Sequence, residues 1–314
     1  MSAVMEQGQE AGRNATIEVT PVTVHTGAEI TGVDLKQPIS PQTVAEIRAA
    51  LVQWKVVFFR GQHLDHAQHV AFTRQFGAPT IGHVVFGHDD RFPEIYSVAK
   101  HRKAQTFTGA PMIRPWSGWH TDITAAINPP AASILRGDIV PPHAGDTQWT
   151  NLAAAYNGLS EVMRGIVDNL KGLHSFAPPQ GAAASHEYAE SVKSRTLISE
   201  HPLVRVHPES GERVLFISPT FLKSIIGMAP RESQMMLEML WEHAVRPEYT
   251  VRFRWNKGDI AFWDNRSTAH LAPRDVFEID DDRQMYRTTL VGDVPVGVDG
   301  RSSVSVEGVP IEGI

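Results

Sequence analysis

The sequence predicts a mainly β fold, a barrel or sandwich of many short strands with a few helices laid over it. Two observations predict it. Short runs of β-branched and aromatic residues recur along the chain with Gly and Pro between them, and only a few stretches carry apolar residues at helical spacing. No repeat and no shift of composition marks a second domain, and 314 residues suffice for one sizeable core. The expected organisation is a mobile tail over 1–16, one domain over 17–298 and a second tail over 299–314.

Ile17 to Val24 and Ala28 to Leu35 read as strands. Ser40-Pro41 is an N-cap followed by Pro at the first helical position, and Val44, Ile47, Leu51 and Trp54 continue at helical spacing. Val56-Val57-Phe58-Phe59 is too short for a helix and rich in β-formers, so it is a buried strand ended by Gly61. A second helix is expected from Asp65 to Phe76, closed by Gly77, with His63, His66 and His69 as its solvated start. Ser160 caps a third, with Met163, Ile166, Val167 and Leu170 as its buried stripe. A fourth spans Arg231 to Val245, its methionines packing the core. The remaining strands are Ala132 to Arg136, Thr147 to Asn151, Leu203 to His207, Val214 to Ser218, Thr250 to Trp255, Asp259 to Trp263 and Gln284 to Gly292.

Composition removes several functions. The N-terminal MSAVMEQGQEAGRNA has neither a basic region nor an apolar one, so it does not read as a signal peptide, and no apolar run reaches the length of a membrane span. A cytoplasmic protein without a membrane partner is expected. Basic residues are scattered and the net charge is −6, which gives no nucleic-acid footprint. With no cysteine, any metal must be held by His, Asp or Glu.

GWHTDIT, residues 118–124, is where such a metal would bind. In an extended segment His120 and Asp122 project to the same side. His270, in WDNRSTAH beyond the polar turn Asp264-Asn265-Arg266, is the candidate third ligand. Two His and one carboxylate leave positions open on a non-haem Fe(II) for a bidentate cosubstrate and O₂. Arg283 and Arg287 lie four apart in a strand, about 13 Å along it. One can anchor the far carboxylate of a chelating oxo-acid while the other meets an anionic substrate. Two alternatives keep the same residues: a zinc hydrolase, which also accepts His, His and Asp, and a non-catalytic small-molecule-binding jelly roll.

HTD, GDTQWTN at 145–151, WDNRSTAH at 263–270 and RQMYR at 283–287 together resemble the taurine/alkylsulfate/phenoxyalkanoate family of Fe(II)- and 2-oxoglutarate-dependent dioxygenases. GAEITGVDL and VVFFRGQ extend the resemblance over roughly residues 17 to 298, and HPLVRVHPESGER and GDVPVGVDG point to its alkylsulfatase branch. The resemblance implies a double-stranded β-helix, or jelly roll, and a homo-oligomer, dimer or tetramer. It implies His120, Asp122 and His270 as iron ligands, Thr147 and Arg283 on 2-oxoglutarate, and Arg287 near the substrate anion. His83, in IGHVVFG, falls where sulfonate- and sulfate-using members keep a substrate-contacting histidine.

The implied reaction consumes O₂ and 2-oxoglutarate, releases succinate and CO₂, and hydroxylates a small anionic organic substrate: an alkyl sulfate, a sulfonate or an aryloxyalkanoate. Where the hydroxylated carbon bears a leaving group, an aldehyde or ketone results. The approach TFTGAPMIRPWSGWHTD lacks the asparagine of taurine-using members and has Trp116 near that position, which argues against taurine and places specificity in Arg114 to Gly118. Segment 176–200, with PPQGAAAS, is expected as a lid.

Overall fold

A computed structural model of the chain describes residues 15–83, 87–100, 114–176 and 195–314. Residues 1–14 of the expected N-terminal tail and most of the expected lid lie outside the described residues, and Thr16 is hydrogen-bonded to Glu46 and Thr43. In chain order the strands are β1 (Glu18–Pro21), β2 (Ala28–Thr31), β3 (Val56–Phe59), β4 (Tyr96–Ala99), β5 (Ala132–Ile139), β6 (Thr147–Asn151), β7 (Lys171–Phe176) and β8 (Leu197–Pro202). They continue as β9 (Val204–Val206), β10 (Arg213–Leu215), β11 (Leu222–Ile225), β12 (Thr250–Phe253), β13 (Ile260–Asp264), β14 (Thr268–Leu271), β15 (Gln284–Leu290) and β16 (Val304–Glu307). The helices are α1 (Pro41–Trp54), α2 (His66–Arg74), α3 (Leu152–Asn157), α4 (Glu161–Val167) and α5 (Pro230–Ala244).

The largest sheet has the order β1-β2-β3-β13-β5-β15-β4, and a smaller one the order β12-β6-β14. Alternation along the strands makes the two sheets face each other. Val56 and Phe58 of β3, Ala261 and Trp263 of β13, and Met285 of β15 point inward, where they meet Trp149 of β6 and Val251 and Phe253 of β12 in one buried cluster. Phe58 stacks on Phe253 with centroids 4.1 Å apart, and Trp149 lies 5.6 Å from Trp263. The intervening residues Val57, Phe59, Ile260 and Phe262 point outward and are covered by Ile47, Leu51 and Phe72 of α1 and α2. This is the jelly roll. A further, separate sheet has the order β11-β7-β8-β16.

The capped helices form as their sequences require. Ser40 Oγ accepts from Thr43 N at 3.1 Å at the start of α1, and Asp65 with Gln68 makes a reciprocal capping box on α2. Three expectations need correction. The helix after Ser160 stops at Val167, and of its expected stripe Val167 alone is fully buried while Ile166 faces solvent. Two turns are too few to carry a continuous buried face. His69 is not solvated but fully buried, with Nε2 3.2 Å from Thr288 Oγ1 of β15. The end of the chain is no free tail: β16 pairs with β8, Ile311 exchanges two hydrogen bonds with the Asn128 side chain, and Ile314 N donates to Pro79 O. Its backbone finds partners that a Gly- and Ser-rich composition does not reveal.

β7 and β8 interleave polar with apolar residues and bury two histidines, His174 and His201, with rings 5.0 Å apart. His174 Nδ1 lies 2.9 Å from Thr124 Oγ1, and His201 Nε2 lies 3.1 Å from Ala126 O. Burial keeps both neutral: His201 is lowered to about 4, His69 to about 3, and His174 falls well below the ordinary value. A histidine neutral when folded but free to protonate when unfolded gives stability that is full above the unfolded value and is lost as the pH falls through it. Denaturant unfolding of chelator-treated protein is therefore expected to show a lower midpoint at pH 5.5 than at pH 7.5, equivalent to a loss of about 1 kcal/mol of unfolding free energy per buried histidine. Equal midpoints would contradict this assignment.

Candidate active site

The site is assembled where three inward-facing strand ends meet one irregular segment. His270 lies in β14, paired with Trp149 of β6. The segment before Asp122 runs beside it. His120 N donates to His270 O at 2.9 Å, and His270 N donates to His120 O at 2.7 Å. A pair that exchanges both bonds holds its side chains side by side, and the two imidazole rings are 4.2 Å apart. Thr121 Oγ1 donates to Thr268 O at 2.7 Å, fixing the segment one residue later, and Ile123 turns it away in the left-handed region at φ 40°. One ligand-capable atom each of His120, Asp122 and His270 then lies within 4.8 Å of the others.

The turn that leads into His270 is locked by charge. Asp264, fully buried, accepts from His207 Nε2 at 3.0 Å and from Arg266 Nε and Nη2 at 2.9 and 2.6 Å. Thr268 Oγ1 returns to Asp264 O at 2.8 Å. Burial favours the neutral acid, but Arg266 and His207 outweigh it and hold Asp264 ionised.

Asp122 is in the same position. Burial raises its carboxyl, while Arg287, then His270 and His120, and the Ser133 hydroxyl pull it well below the usual range. Arg287 Nη1 donates to Oδ1 at 2.7 Å and Ser133 Oγ to Oδ2 at 2.8 Å. Both histidines are lowered by burial and stay neutral. His120 Nδ1 lies 3.0 Å from Gly118 O, which fixes the ring and leaves Nε2 for a ligand. His270 Nε2 stands 4.0 Å from Asp122 Oδ1, and its Nδ1 is buried without a partner among the described residues. Two neutral imidazoles and one carboxylate, held by their own hydrogen bonds, form a donor set that fits Fe(II).

Arg283 and Arg287 are both buried and neither joins Asp280 or Asp281. Arg283 Nε donates to Gly145 O at 3.2 Å. A side chain at Gly145 would press on it, because an added Cβ would sit 3.0 Å from Arg283 Cδ, and φ is +70° there. Burial draws the Arg283 guanidinium down to about 10, against the pull of Asp275 and Asp146. No carboxylate among the described residues stands within 4.0 Å of it. Thr147 begins β6 two residues past Gly145, its hydroxyl accepting from Trp255 Nε1 at 2.9 Å. Thr147 and Trp149 lie on one face of β6, and Trp149 pairs with His270.

His83 lines a small cavity with Asp122, Ile123, Arg287 and Thr289. Tyr96 joins them: its ring is 5.0 Å from that of His83 and 5.3 Å from the Arg287 guanidinium carbon. His83 and Arg287 thus lie beside the triad, with Arg287 on the Asp122 carboxylate itself, while Arg283 is held at Gly145 and Thr147 at Trp255. Sequence reasoning missed Ser133, Asn265, Tyr96 and Trp255. Ser133 carried one signal, a polar residue at an inward position of an apolar strand; the others carried none. Trp116, in the predicted specificity stretch, lies 6.2 Å from Trp241, and the part of the approach segment before Arg114 lies outside the described residues.

Known proteins agree with this geometry. A family model for taurine catabolism dioxygenases, the TauD/TfdA family, matches residues 18–289. An alpha-ketoglutarate-dependent sulfate ester dioxygenase of Pseudomonas putida is 41% identical over 295 residues, 91% of this chain and 93% of that protein. An alkylsulfatase of Acinetobacter baylyi is 35% identical over 292 residues, 90% of this chain and 88% of that protein. A crystal structure of a taurine dioxygenase from Burkholderia xenovorans superposes with a TM-score of 0.83 at 59% identity, covering 94% of this chain and 96% of that one. The chain belongs to the TauD/TfdA family and is a 2-oxoglutarate-dependent dioxygenase.

Proposed function

We propose that the protein hydroxylates a small anionic organic substrate, a sulfate ester foremost, with Fe(II) at His120, Asp122 and His270. The observation that carries the reading is one small cavity shared by Asp122, Arg287 and His83, beside a triad with no fourth protein ligand among the described residues. The named activities of the sulfate ester dioxygenase and the alkylsulfatase support the substrate class.

Fe(II) would supply the oxidising chemistry, coupling decarboxylation of 2-oxoglutarate to hydroxylation of a C–H bond. The chain's residues bind and orient. Arg283, buried and without a carboxylate partner among the described residues, offers its planar fork to the far carboxylate of 2-oxoglutarate, and Thr147 adds a hydroxyl. Arg287 and His83 present positive and hydrogen-bonding groups to the substrate anion. Burial of Asp122, Arg283 and Arg287 strengthens each of their contacts. Hydroxylation of the carbon bearing a sulfate gives a hemiacetal-like carbon. Its hydroxyl loses a proton, the C–O bond to sulfate breaks, and an aldehyde and free sulfate leave. A hydrolase would have no use for the buried Arg283 fork, which disfavours the zinc alternative.

Succinate formation is expected to require Fe(II), 2-oxoglutarate and O₂ together, and to be raised by a medium-chain alkyl sulfate more than by taurine or an aryloxyacetate. Stronger stimulation by taurine would overturn the substrate assignment, and substrate-dependent sulfate release without 2-oxoglutarate would overturn the reaction class. His120→Ala should abolish iron-dependent turnover. Arg283→Ala should raise the half-saturating 2-oxoglutarate concentration about 10- to 100-fold, the worth of one charge-assisted hydrogen bond. An unchanged 2-oxoglutarate dependence would remove Arg283 from the cosubstrate site.

A further inference from the structure

Asp122 reaches solvent through none of its hydrogen bonds, and the groups behind its second oxygen form a chain with only one possible direction. Trp263 Nε1 lies 2.9 Å from Asn265 Oδ1. An indole N–H can only donate, so the amide oxygen faces Trp263 and the amide nitrogen faces away. That nitrogen donates to Ser133 Oγ at 2.9 Å. The serine hydroxyl, already accepting, gives its own hydrogen to Asp122 Oδ2 at 2.8 Å. Trp263, Asn265, Ser133 and Asp122 are exposed by 1%, 1%, 0% and 4%. The strands impose the arrangement: Trp263 of β13 pairs with Ser133 of β5, and Asn265 N donates to Ala131 O at 2.9 Å.

We propose that this donor chain, Trp263 to Asn265 to Ser133, holds Asp122 Oδ2 away from the metal, so that the metal meets the carboxylate through Oδ1 alone. Oδ1 is the oxygen that faces His270 Nε2, at 4.0 Å, and it is shared with Arg287. The inference rests on the metal-site reading above and adds positioning residues to it. A carboxylate that chelated through both oxygens would take a position that the bidentate cosubstrate or O₂ needs. Burial makes each bond in the chain stronger than in water, and successive bonds polarise one another. Asn265 matches a glycosylation sequon, Asn265-Arg266-Ser267, yet its amide is buried and hydrogen-bonded through both oxygen and nitrogen inside the protein.

The test is Co(II) titration of metal-free protein, read by calorimetry and by the visible Co(II) spectrum, alongside the melting temperature without metal. Wild type is expected to bind one Co(II), and His120→Ala to lose it. Ser133→Ala should raise the Co(II) Kd about 10- to 100-fold and change the spectrum, and Ser133→Thr, which keeps the hydroxyl, should restore both. Asn265→Leu, which frees the serine hydroxyl to turn, should move Kd in the same direction by less; it carries the test if Ser133→Ala fails to fold. Wild-type Kd and spectrum in Ser133→Ala, or in Asn265→Leu where that variant stands in, would overturn the donor chain while leaving the metal site intact. Wild-type protein that takes up no Co(II) would overturn the metal-site reading and the chain with it.

Discussion

A carboxylate that must stay ionised inside the protein sets the terms for what surrounds it. An uncompensated buried charge costs several kcal/mol, so Asp122 can exist only where a cation and donors reach it from fixed elements. Arg287 comes from β15, Ser133 from β5 and His270 from β14, and each is brought to the carboxylate by strand register. The jelly roll supplies this convergence because its two facing sheets send alternate residues into one interior. Where the cluster Trp149, Trp263 and Met285 ends, that interior becomes polar.

The two arginines, Arg287 within β15 and Arg283 just before it, are both buried but differently engaged. Arg287 is committed to the carboxylate and also lines the cavity with His83. Arg283, four residues earlier, passes under Gly145 into a region where no carboxylate stands within ion-pair reach among the described residues. In the proposed reading this guanidinium receives the far carboxylate of 2-oxoglutarate.

What the sequence revealed follows from how local the determinants are. His120 with Asp122, the WDNRSTAH turn and the paired arginines are short-range patterns, and they marked the triad and Arg283 directly. The helices after Ser40 and Asp65 were legible through caps and spacing. Ser133 and Asn265 were not, because their partners depend on β5 lying beside β13, which no local pattern encodes. Tyr96 escaped for the same reason. His69 was misread as solvated since its environment is set by β15, over two hundred residues away. β7 and β8 hid behind polar residues that are in fact buried, and the last strand behind a composition typical of tails.

The central claim is that His120, Asp122 and His270 hold Fe(II) with positions left for 2-oxoglutarate. The most direct measurement is the visible spectrum of the protein with one equivalent of Fe(II), titrated anaerobically with 2-oxoglutarate. The account predicts a charge-transfer band that grows to a one-to-one endpoint and is absent from His270→Ala. A featureless spectrum from folded, iron-loaded wild-type protein at saturating 2-oxoglutarate would contradict it.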